Sequence, residues 1–201
     1  KRPMYRSFLL ITLAVAVASL PTLSRGHDDA PQAGRFSPAE QHRATPLPDR
    51  IVLTWSGDPA TTINVTWRTD LDAGEPRLQI ARADTFVGEL RWPNPSGRVV
   101  EATSEPFESD LGKCLIHSAA LSDLEPATMY VYRVGDGEYF SEWFQFRTAS
   151  DENKPFEFVY FGDSQNEVRS LWSRIVREAN LRAPRASFML HAGDLINNTN
   201  S

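Results

Sequence analysis

Phe156-Glu157-Phe158-Val159-Tyr160-Phe161-Gly162-Asp163 and Ala186-Ser187-Phe188-Met189-Leu190-His191-Ala192-Gly193-Asp194 each read as a strand that runs into Gly-Asp. Between them, Val168, Leu171, Trp172, Ile175, Val176 and Ala179 recur at the i, i+3, i+4, i+7 spacing of a helix that lays one face on a sheet. The order is strand, helix, strand, which requires a parallel pair joined by a right-handed crossover.

Such a crossover delivers the carboxyl ends of both strands to one edge of the sheet, where α/β proteins place their ligands. Asp163 and Asp194 are therefore expected to lie close together although 194 − 163 = 31 positions separate them. Two carboxylates meeting there suggest a metal site. Each preceding glycine is expected to let the backbone turn sharply before the acid. Ser164-Gln165-Asn166-Glu167 has the form of a capping box, which starts the helix beside Asp163 and turns its free N–H groups, a setting for an anion, toward the same crevice.

Working back from this unit, Ala149–Lys154 is a short polar joint, with a domain boundary near Ser150. From Arg50 to Thr148 short strands alternate with turn residues, the pattern of an antiparallel sandwich. Seven strands are expected: 51–55, 62–68, 77–82, 98–103, 115–121, 129–134 and 143–147. Ile63, Val65 and Trp67 alternate with Asn64, Thr66 and Arg68, giving one apolar and one wet face. His117 shares strand parity with Leu115, Ala119 and Leu121 and reads as a satisfied core histidine rather than a ligand. Cys114, the one cysteine, reads as a half-buried strand residue. The tryptophans Trp55, Trp67, Trp92 and Trp143 read as core packing rather than a sugar platform.

At the other end, Lys1-Arg2-Pro3-Met4-Tyr5-Arg6 is basic, Ser7 to Leu20 is almost wholly apolar, and Ala14-Val15-Ala16 and Ala16-Val17-Ala18 within it offer small-x-small cleavage positions, the pattern of a signal peptide over 1–23. The apolar run is shorter than the ~20 residues a membrane span needs, so export without a stable anchor is expected. Residues 24–49, including His27 and His42, read as a flexible linker. A net charge of −5 with scattered arginines gives no basic stripe, so a long nucleic-acid backbone is not an expected partner and a small phosphorylated substrate is. Asn64-Val65-Thr66 and Asn197-Asn198-Thr199 match the glycosylation pattern of a eukaryotic secretory route. If the metal reading holds, the second is expected to be unused, being beside Asp194. The residues after Ser150 supply only two strands and one helix, so more chain is expected to complete their sheet.

Leu124-Glu125-Pro126-Ala127-Thr128-Met129-Tyr130 resembles the tyrosine corner of fibronectin type III domains, with Tyr130 as the residue that bonds back to nearby backbone. Taken with Gly162-Asp163 and Gly193-Asp194-Leu195, the chain from about Pro48 to Asn198 resembles a purple acid phosphatase: a fibronectin type III-like sandwich over 50–149, then the N-terminal part of a calcineurin-like metallophosphoesterase domain over 150–201. The resemblance implies an exported phosphoesterase with a dinuclear metal centre, in which Asp163 ligates one ion, Asp194 bridges both, and metal-activated water is the nucleophile with no side chain assigned to that role. This chain alone is then expected to be inactive.

Two departures bear on the metals. Purple acid phosphatases read Gly-Asp-x-x-Tyr at the second motif, and here Asn197 stands at the Tyr position; other metallophosphoesterases read Asp-x-His at the first, and here the third residue is Gln165. Of Fe, Zn, Mn and Mg, the family's range, tyrosinate-bound ferric iron is disfavoured, and amide oxygens from Gln165 or Asn197 favour a harder divalent ion. The metal candidates are thus Asp163, Asp194 and Asn197. His191 reads as a packing or supporting residue, and Arg169 as a solvated helix arginine. The competing reading is a non-catalytic surface or binding protein whose phosphoesterase domain has decayed.

Overall fold

The computed structural model describes residues 37–86, 97–109, 111–165 and 167–195, without the side chains of Pro38 and Arg169. The signal-peptide reading, the first part of the linker, Trp92, Asn166 and Asn197 with its sequon fall outside the described residues.

Part of the expected linker is ordered. Ser37 and Glu40 cap a single helical turn, α1 (Pro38–Gln41), reciprocally: the Ser37 amide donates to Glu40 Oε2 at 2.7 Å and the Glu40 amide to Ser37 Oγ at 3.3 Å. Beyond it Ala44 and Pro48 are buried, the Asp70 amide donates to the Thr45 carbonyl, and Arg68 Nη1 donates to the His42 carbonyl at 3.0 Å. His42 is thus tied to the sandwich rather than being a solvated bystander. The segment carries no periodic pattern because its polar ties to the sandwich are made through the backbone carbonyls of His42 and Thr45.

Eight strands follow among the described residues: β1 (Asp49–Thr54), β2 (Ile63–Thr69), β3 (Arg77–Arg82), β4 (Arg98–Glu101), β5 (Thr103–Ser109), β6 (Gly112–Leu121), β7 (Met129–Gly135) and β8 (Phe144–Arg147). They form two antiparallel sheets, β1-β2-β6-β5 and β4-β3-β7-β8. The single expected strand at 98–103 is two strands. The chain leaves one sheet at Glu101 and joins the other at Thr103, with Ala102 between. All but the last residue of β5 are exposed, so it has no buried face to write alternation into the sequence. Arg50 has φ of +49° where the β1–β2 register shifts between Asp49 and Val52, a bulge that turns the strand as it enters the sheet.

Alternating residues of both sheets meet in one core. Ile63, Val65 and Trp67 come from β2, Leu78 and Ile80 from β3, Ala119 and Leu121 from β6, and Tyr130, Tyr132 and Val134 from β7. His117 is fully buried here beside Trp67, with Nε2 2.7 Å from Thr69 Oγ1 and Nδ1 2.8 Å from Ser104 Oγ. Both ring nitrogens are satisfied by hydroxyls, which can donate or accept as the neutral ring requires. Burial lowers its pKa from the ordinary value, against a smaller upward pull from Asp136. At the turn into β7 the Glu125 amide donates to the Tyr130 hydroxyl at 2.9 Å, which closes the tyrosine corner. Thr148 braces the same turn by accepting from the Thr128 amide and donating to the Glu125 carbonyl. Cys114 is buried on the outer side of β6, by a cavity of about 50 Å³ that Ala44, Arg68 and Ile116 also line.

After Ser150 come β9 (Val159–Phe161), a π-helical turn (Val168–Trp172) that runs into α2 (Ser173–Arg182), and β10 (Met189–His191). β9 and β10 pair in parallel, Phe161 opposite His191. Bonds from Val159 to Phe188 and from Ser187 to Glu157 carry the contact upstream of both strands. The capping box does not form. Glu167 itself precedes the first helical turn, in the left-handed region at φ of +51° and with no side-chain cap, so the helix starts three residues later than the pattern suggests. The apolar stripe is only partly used: Trp172, Val176 and Ala179 are half-buried, whereas Val168, Leu171 and Ile175 are exposed. Trp172 packs edge-to-face on Phe161 at 4.7 Å and meets the His191 ring at 5.5 Å. On the opposite face Tyr160 and Leu190 are exposed. Phe188 stacks on Phe158 at 5.1 Å and receives Trp55 edge-on at 4.9 Å. Trp55 is therefore half-exposed and reaches Phe188 beside the β9–β10 pair, while among the described tryptophans Trp67 lies deep in the sandwich core. Among the described residues no helix is long and apolar enough to cross a membrane.

Candidate metal centre at the ends of two parallel strands

The register that sets Phe161 opposite His191 continues one step further, where the Ala192 amide donates to the Phe161 carbonyl at 2.9 Å. Asp163 and Asp194 thus follow two neighbouring strands by two and three residues and leave the sheet at the same edge. Each takes the turn itself, with φ of +56° at Asp163 and +51° at Asp194. Aspartate tolerates the left-handed region better than most side chains.

The two glycines differ in what they do. Gly193 has φ of +108°, which only glycine adopts without strain, so two consecutive positive-φ residues fold the chain back after β10. Gly162 has an ordinary φ, and a Cβ there would only touch the Ala192 Cβ at 3.8 Å. Contrary to the expectation, the sharp turn after β9 belongs to Asp163, not to the glycine before it.

Both carboxylates are exposed, while Ser164 between Asp163 and Gln165 is buried. Asp163 Oδ1 accepts from Gln165 Nε2 at 3.1 Å, so the residue at the third motif position meets the first carboxylate through its amide N–H. On the other strand the Gly193 amide donates to His191 Nδ1 at 3.2 Å. Among the described residues no three His, Cys, Asp or Glu side chains gather into one cluster. Asn197, the third metal candidate, lies outside them. No signal in the sequence marks Ser164 as the buried member of its loop. The His191–Gly193 contact is a two-residue hydrogen bond, legible only once the turn is known.

A sandwich closed by a tyrosine corner, followed by a parallel strand pair with an aspartate past each end, defines a recognisable class. Residues 48–148 match the model of the purple acid phosphatase N-terminal domain, and the chain belongs to that family. Acid phosphatase type 7 of Danio rerio is 41% identical over 81 residues, which is 39% of this chain and 18% of the relative. The chain thus matches under a fifth of that relative's length. Both names are those of phosphatases. A solved structure of Astrotactin-2, a conserved vertebrate-specific and perforin-like membrane protein involved in neuronal development, aligns at 17% identity over 51% of this chain and 22% of that one. Its TM-score of 0.34 is too low to bear on the fold.

Proposed function

We propose that the whole protein is an exported, metal-dependent phosphoesterase that hydrolyses phosphate esters of small molecules. In this reading the strand–helix–strand unit opens a calcineurin-like domain, and Asp163 and Asp194 contribute to a dinuclear centre. The observation that carries it is the pair of aspartates leaving adjacent parallel strands at one sheet edge, behind a sandwich of the purple acid phosphatase family.

The residues present fit such a centre as part of its shell. Two exposed carboxylates supply hard oxygen donors, and Gln165 stands where other metallophosphoesterases have an imidazole and Asn197 where purple acid phosphatases have a phenolate, so the set suits a divalent ion such as Mn²⁺ or Mg²⁺. When bound, the metal pair supplies Lewis-acid activation of water and neutralises charge on the phosphoryl oxygens. The chain's own part is geometric. Gln165 orients the Asp163 carboxylate, the Gly193 turn presents Asp194, and the Phe161, Trp172 and His191 rings pack together between strand and helix.

The test uses the full-length secreted protein, with metal content and hydrolysis of an aryl phosphate and an aryl phosphodiester measured before and after Asp194→Asn. Loss of both metal and activity in the variant is expected, with no metal-dependent visible band in the wild type. A wild type that holds no metal and cleaves neither ester would overturn the reading and leave the sandwich as the place to seek function.

A further inference from the structure

We propose that His191 is a positioning residue for the Asp194 loop, acting through its Nδ1 on the Gly193 amide. The inference rests on the metal-centre reading for its consequence, though not for its geometry. His191 ends β10, and its ring lies edge-to-face with Trp172 at 5.5 Å. Nδ1 sits 3.2 Å from the Gly193 nitrogen and accepts its N–H, an arrangement that takes the tautomer with its hydrogen on Nε2. Nε2 is buried with no hydrogen-bond partner among the described residues. Turning the ring over would give up the Gly193 bond, so the packing against Trp172 and the bond to Gly193 together select one orientation.

The bonded amide belongs to the first of two successive positive-φ residues, and the second is Asp194. A glycine in that region has many alternatives open to it. Holding its N–H to a ring already clamped between strand and helix removes them, and the direction in which Asp194 leaves the sheet follows.

Three substitutions in the full-length protein separate this role from packing. His191→Asn keeps an acceptor, Oδ1, near the place of Nδ1. His191→Gln offers its oxygen near Nε2 instead. His191→Phe keeps the ring on Trp172 and has no acceptor. Exchange of the Gly193 amide and the affinity for Mn²⁺ alone are read for each, with kcat and KM as a third measure.

Phe and Gln are expected to speed Gly193 exchange by about tenfold, the loss of one modest hydrogen bond. They are also expected to weaken Mn²⁺ binding by about 10- to 100-fold, as for partners that orient a ligand. Asn is expected to restore both to within about threefold of wild type. Wild-type exchange and affinity in His191→Phe would overturn the proposal, and so would an Asn variant as impaired as Phe. If the wild type binds no Mn²⁺, the metal reading fails, and the exchange measurements still decide whether His191 holds the loop.

Discussion

Replacing Tyr130 with Phe removes one oxygen from the sandwich and leaves the ring where it stacks on Phe146 at 5.6 Å. That oxygen accepts the Glu125 amide at 2.9 Å, and Tyr130 is only 6% exposed. A hydrogen bond of this kind contributes about 0.5–1.5 kcal/mol net, and an amide left unpaired in the interior costs about 1–3 kcal/mol. Glu125 is exposed, so water can reach part of the orphaned amide, and the expected loss is about 1–1.5 kcal/mol. Thr148 still holds the turn through Thr128 and the Glu125 carbonyl, so the corner loosens without unravelling. In urea unfolding followed by tryptophan emission, with Trp67 reporting the core, a slope of about 2 kcal/mol per molar turns that loss into a midpoint about 0.5–0.75 M lower at unchanged slope. Tyr130→Ala, which also empties the ring's place, is expected to cost about 3–5 kcal/mol. A Phe variant within about 0.2 M of wild type would show that the hydroxyl does not hold the corner, since even the low end of the hydrogen-bond range predicts a larger shift.

His117 carries a pH dependence of definite sign. Its folded pKa lies below the ordinary value near 6.5, so as pH falls through 6.5 the unfolded chain takes up a proton before the folded one and stability drops until the folded pKa is passed. The unfolding free energy of His117→Gln measured from pH 7 to pH 5 is expected to fall less than that of the wild type; parallel curves would refute this. Asp49 pairs bidentately with Arg68, whose side chain is 8% exposed, with Nε 2.8 Å from Oδ1. Asp49→Ala leaves that charge with the His42 carbonyl alone among these contacts and is expected to cost about 2 kcal/mol, below the range for a fully buried pair because Asp49 is half-exposed. Adding Arg68→Met is expected to recover part of it, and a double variant no more stable than Asp49→Ala would count against the pair.

The elements legible in the sequence are those with a one-sided environment. Ile63, Val65 and Trp67 face a core on one side only, so β2 shows its period plainly, and the corner at Tyr130 is a local motif whose partner lies five residues away. β5 is hidden because nothing buries it, and Ser37–Pro48 because it is held mainly by backbone groups. At the candidate site the strands and the common edge follow from the hydrophobic runs, whereas the helix start does not. Ser164 and Glu167 have the right spacing for a capping box, but the chain spends those residues on a buried Ser164 and a left-handed Glu167. The apolar stripe from Val168 to Ala179 is wider than the face α2 lays on two short strands, so half of it meets water among the described residues.

The strand that the sequence hides has its own consequence for how the sandwich behaves at high concentration. Among the described residues β5 lies at the rim of its sheet, seven residues long and without a neighbour along one side, the kind of border on which a second chain can crystallise a ladder of its own. Pro106 sits in its middle and pairs in unbroken register with Leu115, and proline has no N–H to offer a newcomer. Glu105 and Glu108 flank it with like charge, one of them tied to Lys113 across the pair. Pro106→Val should therefore leave the fold almost unchanged while making the concentrated protein more prone to associate strand against strand, a fault that would surface as turbidity rather than as lost stability.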